Sequence, residues 1–487
     1  MSRVLGRFVL NIASAAAMSR GMARRSPTMR MADSLGGAEV TVLGGGFGGL
    51  YTALRLSSLD WADSPRPRIT LIDRDERFAF SPMLYELATG TASCWEVAPL
   101  YSELLADTDI DFVQGEVRRL DQSERVVHVM AAGEGVSERL LPYDHCVVAL
   151  GNQPRVVGVP GVAEYALPFY TAHDALAVKQ RVRELCSRAH GAPVRVGVIG
   201  GGYIGVELAA NLASAFDAGA LTVSLVHRSG VLVPAGTQHS QNEAERQLVE
   251  AGVEVLRNTE VVAVGASELQ LVPVKPPAAT DASSAAYELP VELTLWTGGT
   301  QPSAAISALE LPLAADGRID VDETLRVRGQ SRFTALGDGA AIVDAAGVRA
   351  PSTAQAAMQQ ADYAAWNVRA AIRDDAAVLP FRYAALGEML SLGQDAASVS
   401  ALGQLVKLSG PLASVSRRAV YAARMPTPSQ AAKVGISWGA PPQRHYAGAA
   451  CPRALPPQRP FWRPPLAPPA PPELAVSVLE SRAVHSR

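Results

Sequence analysis

The sequence contains two copies of a strand, glycine turn and helix pattern, and this duplication constrains the fold more than any other feature. The first copy, VTVLGGGFGGLYTALRL, carries Gly44, Gly46 and Gly49 in the spacing G-x-G-x-x-G. In such a turn the first glycine permits the tight bend, the second admits a pyrophosphate, and the third allows close packing of helix on strand. The helix N-terminus then faces the phosphate charge. We therefore expect a dinucleotide site at this turn.

A second copy of the pattern lies well inside the chain. The apolar strand VRVGVIG leads into Gly200, Gly202 and Gly205, and the helix that follows carries Glu207 in its first turn. A lone motif of this kind is a weak indication, but each copy here has a strand before it and a helix after it. Two dinucleotide sites in one chain suggest two different dinucleotides.

The two copies differ at the end of the strand that follows each helix. RITLID ends at Asp73, whose carboxylate can accept hydrogen bonds from ribose hydroxyls, whereas LTVSLVH ends at His227 and is followed by Arg228. An acid at this position repels the 2′-phosphate of NADPH, and a cation accommodates it. The second site is therefore expected to use NADPH, with or without NADH. The alternative is that both basic side chains are simply solvated.

Composition limits the class of protein. With 487 residues, 48% hydrophobic and 19% charged, the chain is expected to form a globular protein of two or three domains. The net charge of -3 gives no basic footprint, so we expect no nucleic-acid partner. Strands and helices alternate from Val40 to Asn367, which indicates parallel α/β sheets. No apolar run reaches the ~18 to 20 residues of a membrane-spanning helix.

Both ends of the chain differ in composition from this α/β region. Residues 1–32 hold six arginines and no acid, which is typical of an organelle transit peptide; a basic tail without a targeting role is the alternative. Residues 439–472 are rich in proline and are expected to be disordered. The polar segment 272–290 is interpreted as a hairpin loop. The four cysteines are scattered without metal-like spacing, so no metal site is predicted.

A third motif indicates which dinucleotide belongs to which copy. SRFTALGDGAA is an apolar strand that ends at Gly337 and Asp338, where a carboxylate can bind the ribityl chain of a flavin. TALGD, together with HCVVALG ending at Gly151 and the order of the glycine motifs, resembles the flavoprotein disulfide reductase superfamily with two dinucleotide-binding domains. The resemblance implies non-covalent FAD in the first unit and NAD(P)H in an inserted second unit.

The cysteine positions distinguish branches of that superfamily. Thiol reductases carry a C-x₄-C pair just beyond the first helix, and no cysteine lies between Gly49 and Ser93. Sulfide:quinone reductases are disfavoured as well, because the stretch after Asp338 where a partner for Cys146 would be expected holds no cysteine. The chain is therefore not expected to pass electrons into a disulfide.

Three further segments resemble the type II NAD(P)H:quinone oxidoreductases. They are FAFSPMLYELATGTASCWEVAP, LWTGGTQP and PSTAQAAMQQADYAAWN. The last implies a helix that starts near Thr353 at the flavin, with Gln355 and Gln359 on one face, where their amides can hydrogen-bond a quinone carbonyl. A surface helix with two exposed glutamines is the alternative. Gly298, in LWTGGTQP, is expected to contact NAD(P)H.

The resemblance extends to the plastid C-type branch found in plants and algae. The segments that carry it are PFYTAHDA, DVDETLRVRG, LPFRYAALGEMLSLG and KVGISW. It implies reduction of demethylphylloquinone and related prenylquinones at a membrane or lipid-droplet surface. The implied location is the chloroplast, at plastoglobules or thylakoids, with the mitochondrion as a second location. The natural quinone stays open, and so does assembly as a homodimer.

The same resemblance gives two regions a role. It places Glu207 where the nicotinamide, flavin and quinone paths meet, to orient NAD(P)H or relay protons; the alternative is a helix-start carboxylate with no part in catalysis. It also implies that the C-terminal region reaches the membrane. LSGPLASVSRRAVYAARMP is expected to form an amphipathic helix, with a helix that packs on the protein as the alternative. Its apolar side would carry Leu412, Val415, Ala419 and Ala422, and Arg417, Arg418 and Arg424 would be available for anionic headgroups.

These features predict an α/β fold with two Rossmann-like dinucleotide-binding domains and a C-terminal membrane-associating region. The expected parts are a leader (1–37), an FAD-binding domain (38–165 and 299–370), an inserted NAD(P)H-binding domain (166–298), a quinone- and membrane-proximal region (371–438) and a tail (439–487). The expected activity is FAD-dependent NAD(P)H:quinone oxidoreduction without proton pumping. The alternatives are a flavoprotein reductase with a soluble acceptor, such as ferredoxin or rubredoxin, and a non-catalytic dinucleotide-binding redox sensor.

Overall fold

The computed structural model describes most of the chain between the two compositionally distinct ends. The described residues are 37–439 except 63, 133–136, 156–157, 190, 217–218, 275–285 and 375. The predicted transit peptide up to residue 36 and the predicted tail from residue 440 therefore lie outside the described residues.

The first part of the chain forms strands and helices around the first glycine turn. Its elements are β1 (Glu39–Leu43), α1 (Phe47–Ser58), β2 (Arg68–Asp73), α2 (Leu84–Thr89), α3 (Cys94–Val97), α4 (Tyr101–Leu104), β3 (Ile110–Asp121), β4 (Val126–Ala131), β5 (Glu138–Pro142), β6 (His145–Val148) and β7 (Asn152–Pro154). Strand β1 is a short apolar run, EVTVL, and four of its five residues are buried. A strand of this kind is covered on both faces, as in a parallel sheet with helices on each side.

The second part repeats this arrangement around the second glycine turn. Its elements are α5 (Val162–Tyr165), β8 (Ala166–Pro168), α6 (Ala172–Arg188), β9 (Val194–Ile199), α7 (Tyr203–Ala215), β10 (Leu221–Val226), α8 (Gln238–Glu250), β11 (Glu254–Leu256), β12 (Thr259–Val264), β13 (Glu268–Pro273), β14 (Tyr287–Pro290) and β15 (Leu293–Trp296). Strands β13 and β14 pair antiparallel, with Glu268 opposite Pro290. The hairpin predicted at 272–290 is therefore confirmed in its flanking strands.

The chain then returns to the first sheet and ends in a small C-terminal region. The elements are β16 (Thr300–Pro302), β17 (Ile319–Asp320), β18 (Phe333–Ala335), β19 (Ala340–Ala341), α9 (Ala354–Arg373), β20 (Gly387–Ser391), β21 (Ala397–Ala401), β22 (Val406–Ser409), α10 (Gly410–Ala423) and α11 (Pro428–Gly439). Helix α9 is capped by the Thr353 hydroxyl, which accepts from the Ala356 N–H. The predicted start of this helix is confirmed.

Two sheets organise these elements. A seven-stranded sheet has the order β18-β6-β1-β2-β3-β4-β5, and a five-stranded sheet has the order β11-β10-β9-β15-β8. Strand β1 is parallel to both β2 and β6, and β9 is parallel to both β10 and β15. Because β18 joins the first sheet after the whole second sheet has been formed, the second unit is inserted into the first. The predicted α/β fold with two dinucleotide-binding units is confirmed.

The C-terminal region is a three-stranded antiparallel sheet, in the order β20-β21-β22, followed by α10 and α11. The helix predicted at 408–426 is present as α10, but one of its arginines was assigned wrongly. The Arg417 side chain is 1% exposed and is bonded inside the protein, so it is not available to headgroups. The expected apolar side does face solvent: Leu412 is 64% and Val415 66% exposed. Within the described residues, no helix has both the length and the apolar character needed to cross a bilayer.

Candidate functional site

The first glycine turn has the geometry that a pyrophosphate site requires. Gly44 has φ +95°, and a Cβ on it would lie 2.4 Å from the Ala149 carbonyl oxygen. A Cβ on Gly49 would lie 1.8 Å from the Gly44 carbonyl oxygen, so this glycine is what allows α1 to pack on β1. A Cβ on Gly46 would meet nothing within 4 Å. Space for a ligand is therefore open at the second glycine and closed at the other two.

The second turn reproduces this geometry. Gly200 has φ +116°, and a Cβ on it would lie 2.7 Å from the Thr297 hydroxyl oxygen. A Cβ on Gly205 would lie 1.8 Å from the Gly200 carbonyl oxygen, whereas a Cβ on Gly202 would meet nothing within 4 Å. Both turns thus expose backbone at a helix N-terminus, where an anion is stabilised.

Each turn is also bonded to the end of the neighbouring strand, but by a different group. In the first unit the Gly45 N–H donates to the Asp73 carboxylate at 2.6 Å. In the second unit the Gly201 N–H donates to Nδ1 of His227 at 3.0 Å. His227 therefore takes the structural place of the acid, and the sequence alignment of the two strand ends is correct.

The protonation state of His227 follows from its hydrogen bonds and its surroundings. Its Nδ1 accepts a hydrogen bond, and its Nε2 lies 2.8 Å from the Ser229 hydroxyl. Burial lowers the pKa of His227, and the positive charge of Arg257 lowers it further. At neutral pH the ring is therefore uncharged, and the cation at this strand end is Arg228. The Arg228 side chain is 75% exposed and forms an ion pair with Glu260 at 3.7 Å.

Two loops, one after β6 and one after β18, line the cavity together with the first glycine turn. Gly151 and Gly337 have φ +61° and +74°, and a Cβ on either would meet nothing within 4 Å. The Asp338 carboxylate accepts from the side-chain amide of Asn152 at 3.4 Å, and burial raises the pKa of Asp338. The Gly337 N–H donates to the side-chain oxygen of Gln360 at 2.8 Å. Gln360 is a positioning residue that sequence reasoning missed, although it stands beside Gln359 in the same motif.

Glu207 is buried in the wall between the second unit and the C-terminal sheet. It is 8% exposed, and its carboxylate accepts from the Ser391 N–H at 2.9 Å. Burial raises the pKa of Glu207 to about 8, although the Ser391 hydrogen bond and the positive charge of Arg417 act against this effect. Glu207 therefore holds a proton at neutral pH.

The charges around Glu207 explain why it holds that proton. Arg417 donates to the Glu86 carboxylate at 2.8 Å and to the Tyr85 hydroxyl at 2.8 Å. Arg417 and Glu86 are both buried and neutralise one another. A second ionised carboxylate beside this pair would be an uncompensated buried charge, which is costly. Glu207 is the acid in excess in this cluster, so protonation of its carboxyl removes the uncompensated buried charge.

The two predicted quinone-site glutamines are bonded to a single segment, residues 383–387. The Gln355 side-chain oxygen accepts from the Tyr383 hydroxyl at 3.0 Å and from the Leu386 N–H at 3.1 Å, and its amide donates to the Gly387 carbonyl at 3.1 Å. Gln359 exchanges two hydrogen bonds, each 2.9 Å, with the backbone of Ala384. Each side-chain NH₂ keeps one further hydrogen. Their contact with a quinone stays a prediction.

One cavity of about 2490 Å³ connects these features. Its wall includes Gly46, Gly202, Glu207 and Gln355, so it reaches from the first glycine turn past the second to the start of α9 and the C-terminal sheet. The cavity exceeds the size of ordinary ligand pockets, which hold one small molecule in roughly 300 to 1,000 Å³. It has room for more than one cofactor or substrate.

Several predicted residues lie outside this wall. A Cβ on Gly298 would lie 2.8 Å from the Trp296 ring, and the wall at this point is formed by Thr297, whose hydroxyl donates to the Ile199 carbonyl at 2.7 Å. His227 and Arg228 follow β10 at its carboxyl end, beyond the glycine turn. Their contact with NAD(P)H stays a prediction.

A fold with two glycine turns, one unit inserted in the other and one shared cavity defines a flavoprotein oxidoreductase with two dinucleotide-binding domains. Residues 38–361 match the pyridine nucleotide-disulphide oxidoreductase family. Demethylphylloquinone reductase NdbB of Synechocystis sp. is 39% identical over 400 residues, which cover 82% of this chain and 95% of that protein.

A plant relative and a solved structure agree with this match. The alternative NAD(P)H-ubiquinone oxidoreductase C1, chloroplastic/mitochondrial, of Arabidopsis thaliana is 38% identical over 425 residues, 82% of this chain and 80% of that protein. The structure of NDH2 from Plasmodium falciparum in complex with NADH has a TM-score of 0.71 at 18% identity, over 82% of this chain and 97% of that one, which shows the fold. The chain belongs to the type II NAD(P)H:quinone oxidoreductases within the pyridine nucleotide-disulphide oxidoreductase family.

Proposed function

We propose that this protein oxidises NAD(P)H and reduces a prenylquinone, such as demethylphylloquinone, plastoquinone or ubiquinone, with FAD as its cofactor. The observation that carries this proposal is the shared cavity, which joins both glycine turns to the start of α9 and to the C-terminal sheet. The names of the two relatives at 38–39% identity support a quinone as the acceptor.

The residues of the first unit fit FAD. Gly46, Gly151 and Gly337 leave open space where a ligand can approach the backbone, and Asp73 and Asp338 offer carboxylates beside that space. When bound there, FAD supplies the hydride and electron chemistry between a nicotinamide and a quinone. The protein contributes position and electrostatics. Gly202 offers the same open approach in the second unit, where we place NAD(P)H.

Glu207 is proposed to hold one of the two protons that the quinone needs. Reduction of a quinone to a quinol takes up two electrons and two protons; the hydride of NAD(P)H carries both electrons and one proton, so one further proton is needed. Glu207 lines the shared cavity and is only 8% exposed. A carboxyl with a pKa of about 8 is protonated at neutral pH and is close enough to that pH to release its proton and regain it. The Ser391 N–H then stabilises the carboxylate that remains.

The acceptor is tested by following the flavin colour. Anaerobic NADPH or NADH is expected to bleach the yellow purified protein, and a water-soluble quinone is expected to restore the colour within the turnover time. Recovery with ferredoxin or rubredoxin but not with quinone would favour a reductase with a soluble acceptor. Bleaching without recovery by any acceptor would favour a redox sensor.

Substitution of Gln355 is expected to distinguish flavin reduction by NAD(P)H from flavin reoxidation by quinone. In Gln355→Ala the bonds to Tyr383, Leu386 and Gly387 are lost, so the segment beside the cavity loses its support. We expect reoxidation by quinone to slow about tenfold, while reduction by NAD(P)H keeps its rate. Stopped-flow absorbance of the flavin measures both steps. A variant slowed only in reduction by NAD(P)H would contradict this assignment.

The C-terminal region is proposed to bind the membrane or lipid-droplet surface where a prenylquinone is dissolved. Its exposed apolar side chains Leu412, Val415 and Ile436 support this, with Ile436 76% exposed. Replacing all three by serine is expected to abolish flotation with anionic vesicles and to leave turnover of a water-soluble quinone unchanged. Equal flotation of the wild type and the triple variant would show that these side chains do not bind the membrane. The proposed location is the plastid, at plastoglobules or thylakoids.

A further inference from the structure

A carboxylate of the C-terminal sheet reaches across to the second glycine turn. Glu388, on β20, accepts from the Tyr203 hydroxyl at 2.5 Å, from the Thr237 N–H at 2.8 Å and from the Thr237 hydroxyl at 2.5 Å. These bonds span 185 and 151 residues of sequence. One side chain therefore ties two elements of the inserted unit to a different part of the protein.

The partners of Glu388 stand at the ligand-facing ends of two helices. Tyr203 is the first residue of α7 and directly follows Gly202, the glycine with open space in front of it. Thr237 is the N-cap of α8, and its hydroxyl accepts from the Ser240 N–H. Glu388, Tyr203 and Thr237 all line the shared cavity. Their bonds thus fix the mouth of the proposed NAD(P)H site.

The neighbour of Glu388 carries the connection on to the other end of the cavity. Gly387 has φ +132°, a Cβ on it would lie 2.3 Å from the Ser400 carbonyl oxygen, and its own carbonyl accepts from the Gln355 amide at 3.1 Å. Residues 387 and 388 therefore bond Gln355 on one side and Tyr203 on the other. The start of β20 is a rigid link between the two ends of the site.

We propose that Glu388 is a positioning residue that holds the NAD(P)H-binding turn at a fixed place relative to the C-terminal sheet and the quinone end of the cavity. This inference rests on the proposed function for the identity of the two ligands. Three donors converge on Glu388, and its carboxylate can accept hydrogen bonds from all three at once. Burial alone would raise the pKa of Glu388, but the bonds from Thr237 and Tyr203 outweigh burial and lower it, so the carboxylate is ionised. A glutamine removes the negative charge: its oxygen can still accept from Thr237, but its NH₂ must face Tyr203, whose hydroxyl would then have to accept instead of donate, so the charge-assisted bonds are lost.

The test compares Glu388→Gln with Tyr203→Phe and with a matched control, Glu103→Gln, which removes the same charge from an exposed glutamate on α4. NADP⁺ and NAD⁺ binding to the FAD-loaded protein is measured by calorimetry, together with FAD content and the midpoint of thermal unfolding. In Glu388→Gln we expect about tenfold weaker binding of both nucleotides, because the bonds that hold the turn lose their charge assistance. FAD content is expected to stay the same, and Glu103→Gln to bind as the wild type does.

A double variant separates positioning from simple stabilisation. If Glu388 acts through Tyr203, Tyr203→Phe added to Glu388→Gln will weaken binding less than the sum of the two single effects. The proposal is overturned if Glu388→Gln binds both nucleotides like Glu103→Gln, or if it lowers only the unfolding midpoint. Nucleotide binding is measured without an acceptor and does not depend on quinone reduction. If the wild type failed to reduce any quinone, the proposed function would be refuted, but the binding data would still test the role of Glu388.

Discussion

The two glycine turns are nearly identical as backbone and differ in what surrounds them. In each, the third glycine lies where a Cβ would come within 1.8 Å of the first glycine's carbonyl oxygen, and the second faces open space. Two positions distinguish the copies. The strand end is Asp73 in one and His227 in the other, and the residue two places after the third glycine is Tyr51 in one and Glu207 in the other.

Tyr51 and Glu207, which occupy the same position on the two helices, both bond to the C-terminal region. The Tyr51 hydroxyl donates to the Arg424 carbonyl, and the Glu207 carboxylate accepts from the Ser391 N–H. The first contact joins neutral groups, whereas the second contains a titratable acid. The turn leaves open space at the second glycine of each unit, while the flanking helix residue bonds that unit to the C-terminal region through a neutral group in one copy and a titratable acid in the other.

The largest effect is expected from the glycines that close each turn. In Gly205→Ala the new Cβ would meet the Gly200 carbonyl oxygen, and backbone cannot move away as a flexible side chain can. We expect a loss of more than about 3 kcal/mol in the free energy of unfolding, or no soluble protein. Gly49→Ala should lower the free energy of unfolding by a similar amount in the first unit. Thermal unfolding of each purified variant measures the effect.

The second glycines supply the control for this prediction. Gly202→Ala meets no atom within 4 Å, so its thermal midpoint should match the wild type while NAD(P)H binding weakens. Gly46→Ala should lower FAD content instead. If Gly202→Ala lowered FAD content and spared NAD(P)H binding, the assignment of the two dinucleotides to the two turns would be reversed.

Glu207→Gln is expected to have the next largest effect, confined to the quinone half of the reaction. In the wild type the rate of flavin reoxidation by quinone should fall as the pH rises through about 8, because the proton on Glu207 is lost there. The glutamine keeps the acceptor for the Ser391 N–H but has no proton to give. We expect about tenfold slower reoxidation at neutral pH. Reoxidation that keeps its fall near pH 8 in the variant would exclude Glu207 as the titrating group.

The same group makes stability depend on pH. The folded-state pKa of Glu207 is raised above its usual 4.5 to about 8. The folded protein thus binds a proton more tightly than the unfolded chain, and the associated stability is fully present below pH 4.5 and is lost as the pH rises toward 8. The slope approaches about 1.4 kcal/mol for each pH unit in this window. Glu207→Gln should remove that part of the slope in urea unfolding measured between pH 5 and 8.

Much of the fold was predictable because glycine turns and apolar strands are local features. The turns at Gly44 and Gly200, the strand end at Asp73 and the start of α9 depend on residues a few positions apart, so the sequence pattern determines them. The burial of Arg417 was not predictable in this way. Its position in α10 suits a membrane-facing cation, and its buried state depends on Glu86, which is 331 residues away in the sequence.

The hydrogen bonds of the candidate site were not predictable from the sequence. Sequence reasoning predicted Gln355 and Gln359 as quinone-site residues, which stays a prediction, but not that residues 383–387 bond both amides. It also gave no sign of Glu388, because a glutamate that begins a short strand has no distinguishing pattern. Each miss is a contact between segments distant in sequence, where local propensity carries no information.

Substitutions at the strand end of the second unit are expected to change the preference between NADPH and NADH and to leave the quinone half of the reaction unchanged. His227→Asp gives the second copy the acid of the first, and the carboxylate can accept from the Gly201 N–H as Asp73 does from Gly45. We expect the ratio of kcat/KM for NADPH to that for NADH to fall about tenfold, because the acid repels the 2′-phosphate. An equal change for both nucleotides would mean that His227 only supports the turn.

Arg228→Ala should shift the same ratio by only about two- to threefold, in the same direction. The guanidinium is 75% exposed and already paired with Glu260, so water and the partner charge weaken its attraction for a phosphate. The unfolding midpoint should not move, since exposed pairs contribute little to stability. Steady-state assays with both nucleotides at low and high salt measure the effect. A ratio that stays at the wild-type value at low salt would show that this cation is merely solvated.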